Sequence, residues 1–400
     1  MKRKRVLLGF LILLSVVSML LVGACSSQGQ TSTKTIKIGV ITSMSGDLSG
    51  PLKGMADAIQ ATQDLYNNKG GITVAGQKYL LALTAYDDQS TAAGAVTAAN
   101  KLVQDGIKFA VAPVYPPALR AVIPITDSAK IVTFSATQVD PSTFTSQFKY
   151  AFNCCSTMYH MGATHAYLVK TYPNVKRVAI IQPVDPGVDY IVGLVKKDLP
   201  TRGIQIVAQE SFTPDTQDFY PILTKVLATK PDAIELPGGI PPWTAGIINA
   251  ARDQGFTGPI FAAAIVGGLS DINAIIKPGY NYGFFEGAPD VESSKMPQEV
   301  QDLNKLIQQQ LGHPINFDNF QVIGALSICL QGIEKANSLD PDKVAATLEG
   351  MTFNSPMGGK GKFTGQDLGF LHLGITDQVA VGTIENGKID MAYVANSMFK

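Results

Sequence analysis

Ile36-Lys37-Ile38-Gly39-Val40-Ile41 is a short run rich in β-branched residues, and after it Met55 to Tyr66 repeats its apolar positions at helical spacing. The pair predicts a strand followed by a helix, and the same alternation continues outward along the chain. Apolar runs begin again near Leu80, Phe109 and Ile131, with helical patterns at Ala92 to Val103 and Ala118 to Ala129 between them. A second series starts near Val178, Gln205, Ala233 and Pro259, separated by helical patterns at Tyr190 to Lys197, Phe219 to Ala228 and Trp243 to Gln254. Each period takes roughly 25 to 45 residues, the room that a right-handed strand-helix-strand crossover needs. Two such series predict an α/β chain with two doubly wound parallel-sheet lobes.

Past Gly283 the order changes. Helical patterns at Glu299 to Gln310, Phe320 to Ala336 and Pro341 to Leu348 follow one another without a strand, and short strands at Lys362 to Thr364, Val379 to Glu385 and Ile389 to Ala392 finish the chain. The helices are expected to return as cover to the first lobe, and the terminal strands to edge the second. Lobe 1 then comprises residues 36–152 and 286–353, and lobe 2 residues 153–285 and 354–400. The chain crosses between them near Phe152, Phe285 and Phe353, which makes a three-crossing hinge.

With 46% apolar and only 16% charged residues, the 400-residue chain is too apolar for disorder. Its charge is uneven. Lys2, Arg3, Lys4 and Arg5 are four of the 32 basic residues set against 32 acidic ones, so a body cut before Cys25 is acidic by four charges. Such a body lacks a basic stripe, and nucleic acid is not an expected partner. After the basic start, Val6 to Leu21 runs apolar and Leu21-Val22-Gly23-Ala24-Cys25 ends on small residues and a cysteine. This is similar to a bacterial lipoprotein signal: residues 1–24 as signal peptide, Cys25 as the lipidated residue, and residues 25–35 as a polar tether. The expected location is extracytoplasmic, held to the cell envelope through lipid on Cys25. Of the other cysteines, Cys329 falls at helical spacing with Val322, Leu326 and Ile333 and reads as a buried thiol. Cys154 and Cys155 are adjacent, too close for a zinc half-site, and both a thiol pair and a vicinal disulfide stay open.

Enzyme chemistry finds no foothold. The four histidines, His160, His165, His313 and His372, lack metal-ligand spacing on one helix face. Gly358-Gly359-Lys360-Gly361-Lys362 is followed by Phe363 where a phosphate loop needs Ser or Thr, so it reads as a turn between strands. No nucleophile, base and orienting group assemble, and no cofactor or metal is expected. An exported hydrolase is the reading this argues against.

Ile36 to Ile41, Ser45-Gly46, Gly54, Asn67 to Ile72, Asp87-Asp88 and Pro113-Val114-Tyr115 arrive in an order that resembles the leucine/isoleucine/valine-binding protein family. Ser135-Ala136-Thr137, Asp215 with Asp218-Phe219, and Gly238-Gly239 continue the likeness, which runs from Lys34 to Lys400. The resemblance implies a type I periplasmic-binding fold and an extracellular solute receptor of an ABC transporter. Its partners would be a small-molecule ligand and ABC permease subunits, and a monomer is expected. A ligand-sensing receptor for a signalling partner is the alternative role.

In amino-acid-binding members a serine and a threonine after the third and fourth strands hold the ligand carboxylate. Here Tyr115-Pro116-Pro117 occupies the first of these places, and Thr137 in Ser135-Ala136-Thr137 keeps the second. The second lobe should supply a carboxylate and a tyrosine for the ammonium, but this chain has Asp185-Pro186-Gly187, then Gly239 and Ile240 before Pro241-Pro242, then Ile265. A buried ammonium without a partner costs several kcal/mol. The expected ligand is therefore a carboxylate or amide without a clamped α-ammonium, with aromatic character allowed by Tyr115, Phe152, Tyr159 and Trp243 and by Cys155. A branched-chain or other amino acid is the alternative.

Overall fold

Strand β1 (Lys34–Thr42) is apolar on both faces because helices cover both: Ile36, Ile38 and Val40 enter one core cluster and Ile41 another on the opposite side. The second of these clusters is closed by helix α2 (Ala92–Gln104), whose Leu102 comes so near the strand that a Cβ at Gly39 would lie 2.1 Å from its Cδ2. In the computed structural model the described residues are 34–49, 54–113, 115–137, 141–145, 147–154, 157–263, 268–312, 315, 317–366 and 371–396. The expected signal peptide, Cys25 and most of the expected tether lie outside them, and residues 36–400 form one compact unit.

The first sheet has nine strands in the order β12-β13-β14-β6-β5-β4-β1-β3-β2. Its central strands β4 (Phe109–Val111), β5 (Val132–Ser135) and β6 (Ala151–Asn153) run parallel with β1, while β2 (Ile72–Val74) and β3 (Gln77–Asp87) form an antiparallel hairpin at the edge. Helices α1 (Met55–Asn68) and α3 (Pro116–Ser128) alternate with these strands as the apolar spacing predicts. The second sheet has seven strands in the order β16-β15-β11-β10-β9-β7-β8. Strands β7 (Arg177–Pro183), β8 (Gln205–Phe212), β9 (Ala233–Glu235), β10 (Ile260–Ala262) and β11 (Phe284–Glu286) are parallel, and β15 (Gln378–Glu385) and β16 (Lys388–Ala395) add an antiparallel edge. Its faces are covered by α4 (Thr157–Thr171) and α5 (Pro186–Thr201) on one side and by α6 (Tyr220–Ala228), α7 (Pro241–Asp253) and α8 (Leu269–Ile275) on the other.

Helices α9 (Gln298–Leu311), α10 (Phe317–Ala336) and α11 (Pro341–Gly350) follow β11 without a strand between them. Val322, Leu326, Cys329 and Ile333 of α10 and Val344 and Leu348 of α11 pack into the cluster around β1, β4 and β5. Cys329 is buried, and burial pushes its thiol well above the usual range.

The final strands require a correction. Residues from 354 onward were expected to edge the second lobe, but β12 (Thr352–Asn354), β13 (Lys360–Thr364) and β14 (Leu373–Thr376) belong to the first sheet. Strand β14 lies parallel to β6, with Leu373 opposite Asn153, and Phe353 and Phe363 bury themselves in the first core. The third crossing therefore falls at Asp377, between β14 and β15, instead of near Phe353. Gly358 and Gly359, at φ of 98° and 80°, lie in the turn that joins β12 to β13, whereas Lys360 to Lys362, read as part of that turn, already belong to β13.

Candidate functional site

Open parallel sheets bind small ligands at the carboxyl ends of their strands, because loops and helix starts gather there. In the first sheet these ends are tied together by their own polar groups. Asp87, after β3, accepts hydrogen bonds from the Met44 and Ser45 backbone N–H groups and from Ser45 Oγ at 2.6 Å, which pins the loop after β1. Despite partial burial, these bonds hold its carboxyl below the usual range. Asp88 accepts from Ser43 Oγ at 2.6 Å and from the Ser90 N–H, and burial pushes its own carboxyl up. The Asp87-Asp88 pair thus organises the rim.

Thr137 and Ser135 are both buried. The Thr137 hydroxyl donates to Pro113 O at 2.9 Å and its N–H donates to Ser135 Oγ at 3.0 Å, while Asn153 Nδ2 donates to Thr137 O. Both Thr137 donors are therefore spent inside the rim, leaving the hydroxyl lone pair as its outward chemistry. Tyr115 precedes α3, half-buried against the core cluster that holds Ile41 and the apolar faces of α2 and α3, and Pro116 is the first residue of that helix. Ala136 is buried in the core beside Phe134.

Phe152, expected at the ligand, belongs wholly to the core. It is fully buried, stacked on His372 at 4.2 Å between ring centroids and edge-on to Phe363 at 4.9 Å. In the second lobe, Trp243 is likewise a core anchor. It is half-buried and meets Phe212 edge-on at 5.3 Å, packed on the cluster of α6, α7 and β10. The reason in both cases is phase: each side chain projects toward the packed face of its strand or helix. Asp185 caps α5, its Oδ1 accepting from Gly187 N and Val188 N at 2.7 and 3.1 Å. Gly239 and Ile240 lead into α7, and a Cβ at Gly239 would meet Thr244 Oγ1 at 2.6 Å. Cys155, the Tyr159 side chain and Ile265 lie outside the described residues.

Sequence reasoning missed the polar interior of the second lobe. His165 of α4 is fully buried, with Nδ1 2.7 Å from Asp198 Oδ2 and Nε2 3.1 Å from Glu235 Oε1. Arg202 closes the group by donating from Nε to Asp198 at 2.6 Å. His160, one turn earlier, donates from Nδ1 to Gly287 O at 2.6 Å, and burial lowers its pKa to about 4. That contact needs glycine at 287, since a Cβ there would lie 2.6 Å from Thr164 Oγ1 and 2.9 Å from Ala263 O. Glu286, at the end of β11, is also fully buried, and neither of its carboxyl oxygens has a hydrogen-bond partner. The isolated acid in Phe284-Phe285-Glu286-Gly287 was the available signal. Among the described residues no cluster of His, Cys, Asp and Glu could hold a metal ion, and no helix is long and apolar enough to cross a membrane.

Two concavities lie elsewhere. One of about 400 Å³ is lined by Tyr66, Glu299 and Glu334, and one of about 530 Å³ by Tyr172, Asp232 and Phe256; neither includes an expected site residue.

The model of a family described as periplasmic binding protein matches residues 35–376. The leucine-, isoleucine-, valine-, threonine- and alanine-binding protein of Pseudomonas aeruginosa is 24% identical over 333 residues, covering 82% of this chain and 85% of the relative. Among solved structures, a branched-chain amino acid transporter substrate-binding protein from Streptococcus pneumoniae in complex with isoleucine matches with TM-score 0.71 and 19% identity. It covers 90% of this chain and 100% of that one. A solute-binding protein of an ABC transporter from R. palustris in complex with benzoate matches with TM-score 0.67 and 17% identity, over 90% of this chain and 96% of that one. At these identities the structural likenesses show the fold alone.

Proposed function

The chain belongs to the periplasmic binding protein family, a family of extracytoplasmic substrate-binding transport proteins, and from that premise we propose that it is the solute-binding lipoprotein of an ABC importer. It captures a small organic carboxylate or amide between its two lobes and delivers it to permease subunits. Lipid on Cys25 holds it to the envelope, and the captured ligand lacks a clamped α-ammonium.

The observation that carries the ligand class is the state of the second lobe's polar groups. Where an ammonium would need a carboxylate, the rim presents Ile240 followed by Pro241 and Pro242 at the start of α7. Glu235, on the strand just before that rim, is already engaged by His165. Asp185 is committed to capping α5. An ammonium at this rim would have to draw on carboxylates already engaged by His165 or by the start of α5, or ionise the buried Glu286, which disfavours an α-amino acid. Tyr115 and Pro116 on the first rim, with Gly239 and Ile240 on the second, supply apolar and backbone contacts suited to an aromatic or branched acid. The benzoate-bound neighbour shows that this fold accommodates such a ligand elsewhere.

The test is thermal unfolding of the purified chain with benzoate, 4-hydroxybenzoate, benzamide, 4-methylpentanoate, leucine and isoleucine. A ligand at 100 times its dissociation constant adds about 2.7 kcal/mol, expected to raise the midpoint by roughly 5 to 10 °C. A shift with acids or amides lacking an ammonium supports the assignment. A shift with leucine and isoleucine alone overturns it in favour of a branched-chain amino-acid receptor, the second reading, which the Pseudomonas aeruginosa relative and the isoleucine-bound neighbour favour.

A further inference from the structure

Glu286 poses a chemical problem that the fold alone does not solve. A carboxyl group buried without hydrogen bonds is costly, and native interiors rarely keep one without a partner. Glu286 is 1% exposed, and both oxygens are unpartnered. It is the last residue of β11, opposite Ala262 of β10 and Gly382 of β15, and the Leu269 side chain covers the glycine so closely that a Cβ there would lie 2.3 Å from its Cδ1. The carboxyl group therefore stands without a partner at the carboxyl edge of a parallel sheet, where ligands of such sheets bind.

We infer that Glu286 is a ligand-binding residue, through which the second lobe hydrogen-bonds a carboxylate or carbonyl oxygen of the ligand. The inference deepens the binding function proposed above and rests on it. Burial alone raises the Glu286 pKa to about 8, so at neutral pH the group is a carboxylic acid with an O–H to donate. The buried cation on this side of the sheet, Arg252 of α7, donates to Phe256 O, Gly258 O and Tyr282 O near the amino end of β11, away from Glu286. Asp271 on α8 is exposed, Glu385 at the far end of β15 accepts from Gly283 N, and His160 and Glu235 lie on the opposite face of the sheet, held by Gly287 O and His165. A protonated Glu286 complements an anionic or carbonyl oxygen, whereas an ammonium would favour its ionised form.

The two cases differ in sign. If the bound carboxylate requires protonated Glu286, binding must take up a proton once the free protein's Glu286 is ionised above about pH 8, and affinity falls about tenfold between pH 7 and pH 9. If an ammonium sits there, affinity rises over the same interval. The experiment is isothermal titration of the purified protein and of Glu286→Gln with benzoate and with isoleucine at pH 7 and pH 9. The Gln variant removes a buried acid without changing its shape, and its unfolding midpoint without ligand verifies that it is folded. The expected result is that benzoate binds wild type about tenfold more weakly at pH 9, and that Glu286→Gln loses this pH dependence.

Benzoate binding with the same pH profile in both proteins overturns the role of Glu286, while the receptor assignment stands. Isoleucine binding that strengthens at pH 9 in wild type only overturns the stated ligand chemistry. Binding of neither probe overturns the proposed ligand class and this inference with it.

Discussion

Replacing His165 with alanine is expected to destabilise the protein by about 3–5 kcal/mol, the usual cost of removing one partner from a buried ion pair. The change leaves Glu235, fully buried on β9, without a cation, and removes one of the two cationic groups on Asp198. Replacing both His165 and Glu235, with alanine and glutamine, should recover much of the loss because no buried charge is then orphaned. Urea unfolding of wild type, the single variant and the double variant measures this. A single-variant loss below 1 kcal/mol would show that the group is not an ion pair in solution.

The same group gives stability a pH dependence of definite sign. Burial pulls the His165 pKa down, but Glu235 and Asp198 outweigh that and hold it at about 9, above the ordinary 6.5. The folded state therefore binds a proton that the unfolded state releases earlier. The contribution is complete below pH 6.5 and is lost as pH rises through 9. Comparing unfolding midpoints of wild type and the double variant at pH 6 and pH 10 isolates this contribution, and wild type should lose more on going to pH 10.

Phe152→Ala is expected to cost about 3–5 kcal/mol, as truncation of a buried aromatic does when its neighbours collapse only partly. Phe134, Phe363 and His372 pack directly on this ring. Because the ring is fully buried, the folded fraction of the variant should bind ligand as wild type does. Chemical denaturation and titration at low temperature separate the two readouts. Weakened binding with unchanged stability would restore Phe152 to the ligand site.

Most of the strand and helix succession was legible because it is written in local periodicity. The runs at Ile36, Phe109, Val178 and Ala233 became β1, β4, β7 and β9, and the pattern at Phe320 to Ala336 became most of α10. The hairpin strand β2 and the short strands β6, β11, β12 and β14 were missed, each of three or four residues and too brief to carry a period. The candidate site was less legible. Thr137 occupies the rim as the resemblance implied, but its donors turn inward to Pro113 and Ser135. Phe152 and Trp243 could be recognised as aromatic residues near strand ends, yet which way each ring points depends on the neighbours it meets.

Sequence by itself determined the two strand-helix series, the return of the chain after Gly283 and the family likeness, since each depends on residue type at short spacing. Tertiary structure alone decided that β12 to β14 complete the first sheet, that the third crossing lies at Asp377, and that Glu235 meets His165 through Oε1 while neither oxygen of Glu286 has a partner. Edge pairing and the satisfaction of buried charges are settled between residues far apart in the chain. His165 and Glu235 are 70 positions apart, and Asn153 and Leu373 pair across most of the body. No local pattern encodes which of several apolar edges or buried groups will meet, because packing of the whole fold makes that choice.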